Sequence, residues 1–455
     1  MRAPIRVLSI LPLALLLASC GILDVKPVNQ FDESQAITTP GGARSALAGL
    51  YDALQDDSYY GGDFTFFGDL SADDVEHTGT FTSYRQVDLN DLTSENPSIE
   101  AVWNSLYFAV GRANILILKV PAVADLLPEE RDQILGEAYF IRALTYHNLV
   151  KFWGDPVGMG VPLVLLPPVD IPSAANVTRA STAEVYTQIL ADLQEAENRL
   201  TASGDVGGSH RVNLGAVHAL RARVFLYQGN YAGAETEAQT VAGMGYALAS
   251  NYGDLFDAAD IDTPEDIFKL TFDEKDYQYL GYYYLSNDAG GRREVTPPIS
   301  FVYEYAPADV RGQRNISFDD VSDSSTIYGS KWTTGIGAED LHIIRYGEVV
   351  LIQAEAEARQ NKLAEAEATL TPLRTRAGLG AAGLNTMAQA AAIDTIIHER
   401  MLELAYEGDR WPDLVRTGKA VATMGLASKT YQVLYPIPLK ERDVTIPPLP
   451  QNPGY

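Results

Sequence analysis

Aromatic rings grouped with Asn, Asp and Arg on loops are the residues of this chain best suited to chemistry, and the chemistry would be recognition. Ring faces stack on the apolar faces of neutral ligands such as sugars, while amide, carboxylate and guanidinium groups reach the hydroxyls. Such groups work best on loops carried by a rigid scaffold. Tyrosine is plentiful, with 25 copies, and its ring offers a flat face with a polar tip. Two loop clusters qualify. The first holds Tyr59, Tyr60, Phe64, Phe66, Phe67, Phe81, Tyr84 and Arg85. The second holds Tyr277, Tyr279, Tyr282, Tyr283, Tyr284 and Asn287, with Tyr328 and Trp332 further on. The candidate ligand contacts drawn from them are Trp332, Tyr283, Tyr279, Tyr328, Asn287, Tyr84, Arg85 and Phe67. Trp332 stands out because Lys331, Thr333 and Thr334 beside it are polar and Gly329 and Gly335 loosen the backbone. Tyr282, Tyr283 and Tyr284 cannot all point one way, so at least one is expected inside.

Catalytic patterns are scarce. No GxSxG stands in the chain, so a nucleophile elbow is absent. His77, His147, His210, His218, His342 and His398 never fall at the i, i+4 spacing of a zinc helix. With 60 acidic residues, two carboxylates at glycosidase separation would arise by chance, so composition alone identifies no hydrolase. The acidic run Asp254, Asp257, Asp260, Asp262 and Glu265 lacks the alternating ligands and central Gly of an EF-hand loop and reads as solvated. No enzyme activity, metal or cofactor is expected.

Cys20 is the only cysteine, and it closes the run Leu17-Ala18-Ser19-Cys20. Arg2 and Arg6 precede an apolar stretch from Val7 to Leu17, the layout of a secretory leader. Leu-Ala-Ser-Cys resembles the bacterial lipobox, in which the cysteine receives a diacylglyceryl group and becomes the mature N-terminus. Residues 1–19 are therefore expected to be removed and Cys20 to carry the lipid. The apolar stretch is too short to span a bilayer, and the richest later one, from Val161 to Ile171, is broken by prolines. Membrane attachment is thus expected through lipid only. A formal net charge of −26 repels nucleic acid and anionic headgroups and excludes nucleic-acid binding. Neutral or cationic ligands, uncharged glycans or basic peptides, fit that field.

The elements that must hold these loops are helical. Ala43, Ala46, Leu47, Leu50, Tyr51 and Leu54 share one face, and 55–98 reads as loop. Helices are predicted over 99–120, 128–152 and, from a Ser181/Glu184 capping box, 181–200. From Val212 to Tyr246, Ala219, Ala222, Leu226, Gly229, Tyr231 and Ala234 fit a tetratricopeptide pair, and a second pair appears at 346–370. Thr371-Pro372 is predicted to cap a separate short helix ending at Gly378. A further helix is expected over 391–406, followed by a proline-rich tail run as extended chain over the surface. The expected organisation is a leader at 1–19, a helical part at 20–250, an irregular aromatic-rich insertion at 251–341 and a helical part with tail at 342–455. The block from Glu399 to Lys419 mixes Glu, Arg, Asp and Trp. It reads as paired charges fixing helix packing, as do Trp103, Asn114 and Arg142 within their helices.

Along nearly its whole mature length the chain resembles the SusD/RagB nutrient-binding outer-membrane lipoproteins. The segments that carry the resemblance are LDVKP at 23–27, WNSLYFAVGRAN at 103–114 and EAYFIRALTYHNLVKFWGDPVGMGVPLV at 137–164. RYGEVVLIQAEA at 345–356 with LRTRAGL at 373–379, ERMLELAYEGDRWPDLVRTGK at 399–419 and the close PIPLKERD…QNPGY continue it. The resemblance implies a mainly α fold, a tetratricopeptide-like superhelix with long loops and an insertion carrying the ligand site. It also implies capture of oligosaccharides at the cell surface and their transfer to a partner SusC-like TonB-dependent outer-membrane transporter. Uptake of oligopeptides by the same machine, or a scaffold role in envelope assembly, stand as alternatives.

Overall fold

The computed structural model describes residues 37–167, 175–204, 208–257 and 262–455. Cys20, the leader and the 23–27 segment lie outside them, as does Asp260 of the acidic run.

The helices begin where the backbone donors find caps. Thr39 accepts from the Gly42 amide at the head of the Pro40–Gln55 helix, and Asn96 accepts from Ser98 and Ile99 at the head of Pro97–Lys119. The Ser181/Glu184 box is formed and starts Thr182–Ser203, which ends at Gly204 with φ of +88°. Pro128–Trp153 runs between these and is buried along most of its length. The two tetratricopeptide-like pairs are Leu214–Tyr227 with Tyr231–Gly243, and Tyr346–Arg359 with Leu363–Arg376. Though separated in sequence by the insertion, they are neighbours in space: Tyr231–Gly243 packs directly on Tyr346–Arg359. Gln389–Glu403 packs on that helix in turn. The mainly α, tetratricopeptide-like fold is therefore present.

The Pro97–Ala122 stretch is long and apolar enough to cross a membrane, contrary to the expectation that no run after the leader is. Here Ile99, Val102, Trp103, Leu106, Val110 and Leu116 point into the bundle, so it serves as a core helix.

The insertion leaves and returns through an antiparallel pair, Asp266–Leu270 with Leu341–Arg345. Further out, Glu76 and His77 pair with Thr296 and Val295, which fastens the insertion to the N-terminal loop. Ion pairs anchor the neck. Arg345 contacts Glu265, Glu403 and Glu407 at 2.8, 2.7 and 2.8 Å, and Arg311 reaches Asp309 at 2.7 Å and Glu399 at 3.1 Å. Arg400 with Asp413 (2.8 Å) and Arg416 with Glu355 (2.7 Å) continue the set, buried except for the partly exposed Glu407 and Arg416. The 399–419 block is thus structural, and so is Arg142, bonded to Asp192 and Asn114. Glu265, one of the acidic run, is spent on Arg345 and Arg376, and no metal-binding group of three or more donor side chains exists among the described residues.

Three expectations are corrected. The 55–98 segment is not all loop: Asp63–Leu70 and Thr82–Asp88 are helices, the first buried on every residue and so without a polar face to reveal it. Pro372 does not start a new helix but lies inside Leu363–Arg376, where the Thr371 hydroxyl just before it donates to the Glu367 carbonyl one turn back. The tail is not an extended surface strand. It carries a helical turn at Leu439–Val444, buries Ile437, Leu449 and Asn452, and ties Asn452 Nδ2 to the carbonyls of Trp153 and Tyr435.

Candidate functional site

The C-terminal motif positions the first aromatic loop. Gly408, with φ of +83°, donates its amide to Asp69 Oδ2 at 2.9 Å, and a Cβ on it would lie 2.5 Å from the Thr65 carbonyl oxygen. A Cβ on Gly68 would in turn lie 2.0 Å from the Gly408 carbonyl oxygen. Two glycines therefore let the Asp63–Leu70 helix sit against this turn. Its other side carries Asp63, Phe66 and Phe67 toward the Thr82–Asp88 helix and Tyr84.

The second loop arrives through backbone contacts. The Tyr279 amide donates to the Gly61 carbonyl at 2.6 Å, just before the short Leu280–Tyr284 helix. Beyond it, the buried Glu294 carboxylate accepts from the amides of Thr80 and Phe81 and from His77 Nε2, and pairs with Arg292 at 2.9 Å. A side chain at Gly79 would strike that carboxylate.

The two loops predicted separately thus meet as one group of rings. Tyr84 packs edge-on to Phe66 (5.0 Å between centroids), Phe67 (5.5 Å), Phe81 (5.1 Å) and Tyr283 (5.9 Å). Tyr279 stacks on Tyr283 at 5.8 Å and 26°, with Tyr277 and Tyr282 against it. The Tyr84 hydroxyl donates to Asp63 Oδ1 at 2.7 Å and lies 3.2 Å from the Tyr283 hydroxyl. Arg292 lies over the Phe81 ring at 4.6 Å. Phe81 and Tyr277 are exposed at 40% and 41%, and Tyr279, Tyr282 and Tyr283 are half-buried. They form an outward strip, with Phe66, Phe67 and Tyr84 as the buried backing. Such a strip offers apolar ring faces edged by acceptors and a guanidinium.

Burial raises the Asp63 carboxyl to about 7, and the bond from Tyr84 opposes that rise. The Tyr84 phenol is held well above its ordinary value by burial and by Asp63.

The other candidates separate. Trp332 is 1% exposed, edge-on to Phe256 at 6.0 Å, so its faces are covered and it leaves the set of platforms. Its polar neighbours misled because they bond inward: Thr333 and Thr334 to Glu339, and Lys331 to Glu407. Phe67, also 1% exposed, supports the strip rather than facing solvent. Tyr284 is the buried member of its triplet, against Tyr406. Tyr59 and Tyr60 stack inside the body on Asn148. Tyr328 is half-buried on the Ile327–Gly329 strand, Asn287 is exposed in a turn whose carbonyl accepts from Gly290, and Arg85 is exposed on Thr82–Asp88. Asp63, Glu294 and Arg292 are additions that sequence reasoning missed. Glu294 looked like any other acidic residue, while Asp63 had the weak signal of opening a glycine-led aromatic run.

A cavity of about 830 Å³ opens elsewhere, between Leu47, Tyr51, Gln133, Ile134 and Arg211, and shares no lining residue with the strip.

Comparison with known proteins gives consistent matches. The family described as "SusD family" matches residues 321–430, and one described as "Starch-binding associating with outer membrane" matches 22–226. A SusD-like protein of Formosa agariphila is 28% identical over 96% of each chain, and a second from that organism is 26% identical over 97% of this chain and 98% of its own. Among solved structures, a Bacteroides vulgatus protein is 25% identical with a TM-score of 0.80, covering 92% of this chain and all of its own. A laminarin-binding SusD-like protein is 24% identical with a TM-score of 0.77 over 92% of this chain and 100% of its own.

Proposed function

The chain belongs to the SusD/RagB family, and on that premise we propose that it is a non-enzymatic outer-membrane lipoprotein that captures nutrient oligosaccharides. The lipid would sit on Cys20, and the captured glycan would pass to a partner SusC-like TonB-dependent transporter. The observation that carries the glycan reading is the meeting of two loops, far apart in sequence, to hold Phe81, Tyr283, Tyr279, Tyr282 and Tyr277 outward on one face. The matching description of starch binding at the outer membrane supports both the ligand class and the location.

In this reading the protein does no bond chemistry. Tyr279 and Tyr283 stack on pyranose faces, Tyr282 and Tyr277 extend the platform, and the exposed Arg85 and Asn287 reach hydroxyls at its margins. The Asp63–Tyr84 pair holds the ring beneath in one orientation, so little freedom is lost on binding. Calorimetric titration of the mature protein with laminarin and starch oligosaccharides tests this. Binding that Tyr283→Ala weakens by roughly tenfold, the scale of an aromatic anchor, is the expected result. Undiminished binding in Tyr283→Ala with Tyr279→Ala combined would remove the strip as the site. Co-purification of a TonB-dependent transporter with the lipidated chain tests the hand-off.

A further inference from the structure

Five buried oxygens meet behind the ring strip without a hydrogen-bond partner among the described residues: Asp69 Oδ1, both carboxylate oxygens of Asp74, and the hydroxyls of Tyr284 and Tyr406. All four residues are fully buried. Asp69 sits near the end of the Asp63–Leu70 helix, which carries Phe66 and Phe67, and its carbonyl accepts from Ala72 in the turn that leads to Asp74. Tyr284 closes the Leu280–Tyr284 helix, which carries Tyr282 and Tyr283. Its ring packs 4.7 Å from that of Tyr406, which is held at φ of +65°, and both hydroxyls sit within electrostatic reach of both carboxylates. The two loops that build the strip thus share one polar contact at their backs, closed by the turn before Gly408.

The surroundings cannot hold two ionised carboxylates. Of their four oxygens, Asp69 Oδ2 alone has a partner among the described residues, the Gly408 amide. The cations that face the pair are Lys331 and Arg410, and both are taken: Lys331 by Glu407 and the Ala405 carbonyl, Arg410 by Asp73 at 2.6 and 2.8 Å. Asp73 on the same loop and Asp409 on the facing turn add negative charge. Tyr435, from the tail, is bonded to Ser71 between the two at 2.6 Å. An unpaired ion buried here costs more than taking up a proton. Burial and then Asp74 hold the Asp69 carboxyl well above the ordinary carboxylate range, and burial and then Asp73 do the same for Asp74. Protonated, each carboxyl gains an O–H to give to the other or to a tyrosine oxygen, which supplies the missing partners.

We propose that Asp69 and Asp74 are a protonated acid latch joining the two loops behind the strip, and that alkaline pH opens it and weakens ligand binding. Loss of a proton leaves a buried carboxylate whose neighbouring cations are already bound. The Asp63–Leu70 and Leu280–Tyr284 helices then separate, and the rings they carry lose their fixed spacing. The effect on binding rests on the glycan reading of the strip; the protonation does not.

Asp69→Asn combined with Asp74→Asn keeps the shape, donors and acceptors of the acid form and cannot ionise. Infrared spectra of the mature protein at pH 7 should show a protonated-carboxyl band that the double variant loses. In urea unfolding from pH 7 to pH 10 the variant should gain on the parent, because a carboxyl held above its unfolded value loses stability as pH rises until it ionises in the folded state. Asp63, raised to about 7, and Lys331, lowered to about 8, titrate in both proteins and cancel in the comparison. Laminarin affinity, by calorimetry, should fall by roughly tenfold or more in the parent over the same range, since each proton lost is worth up to about tenfold per pH unit, and by much less in the variant. Equal bands in the two proteins, a variant less stable than the parent at pH 7, or affinity that changes with pH alike in both would overturn the proposal. Laminarin binding to neither protein at any pH would count against the glycan reading instead, and the bands and unfolding profiles would still decide the latch.

Discussion

Asp63 gives a prediction whose size follows from its position. Its side chain is 9% exposed, beneath the ring strip, and accepts one hydrogen bond, from Tyr84. Burial moves its pKa from the ordinary 3.8 up to about 7. Between those values the folded protein holds a proton that the unfolded chain has released. Stability therefore falls as pH rises through this window, by about 1.4 kcal/mol per pH unit and about 4 kcal/mol in all. The contribution is fully present below about pH 4 and gone above about pH 7. Asp63→Asn imitates the protonated form, since the amide oxygen still accepts from Tyr84, and it cannot ionise. Urea unfolding of both proteins from pH 5 to pH 8, read by fluorescence, isolates the effect as a difference in which all other titrating groups cancel. The variant should gain on the parent protein by about 2–3 kcal/mol between pH 5 and pH 7, and then run parallel to it. Parallel profiles across the whole range would refute the reasoning and place the Asp63 carboxylate in contact with water.

Other consequences concern the framework. Arg345→Met removes the cation shared by Glu265, Glu403 and Glu407, leaving them to Arg376, Arg311 and Lys331, and should cost roughly 3–5 kcal/mol in urea unfolding. Trp332→Ala should act as a core deletion, lowering stability by roughly 3–5 kcal/mol, while glycan affinity of the folded fraction by calorimetry stays as in the parent. Gly408→Ala places a methyl 2.5 Å from the Thr65 carbonyl oxygen at positive φ, and should lower the melting temperature and weaken glycan binding together through the displaced Asp63–Leu70 helix.

The helical body was legible in the sequence where local chemistry announces itself. The Ser181/Glu184 box and the Gly229-Asn230 turn each solve a backbone problem with residue types suited to little else. Asp63–Leu70 was hidden because a helix buried all round shows no alternation of polar and apolar faces. Pro372 misled because proline at a helix start and proline inside one look alike until the surrounding turns are known. For the site, the sequence identified which loops carry aromatics, and those loops do converge. Which rings face water depends on tertiary contacts that no local pattern encodes. Tyr283 and Trp332 both sit on aromatic-bearing segments with a glycine within three residues. One lies on the strip because Tyr279 is drawn to Gly61, and the other is covered because its neighbours turn inward to Glu339 and Glu407. Asp63 and Glu294 hold the strip together, yet among so many carboxylates neither was distinguishable before the fold was known.

The measurement that bears most directly on the central claim is native affinity electrophoresis of the mature domain without Cys20, through gels containing different polysaccharides, beside a lane with protein hydrolysate. Retardation by one polysaccharide, relieved in Tyr283→Ala and retained in Trp332→Ala, is the predicted result. Unchanged mobility in every polysaccharide, or retardation only by hydrolysate, would contradict glycan capture by this strip.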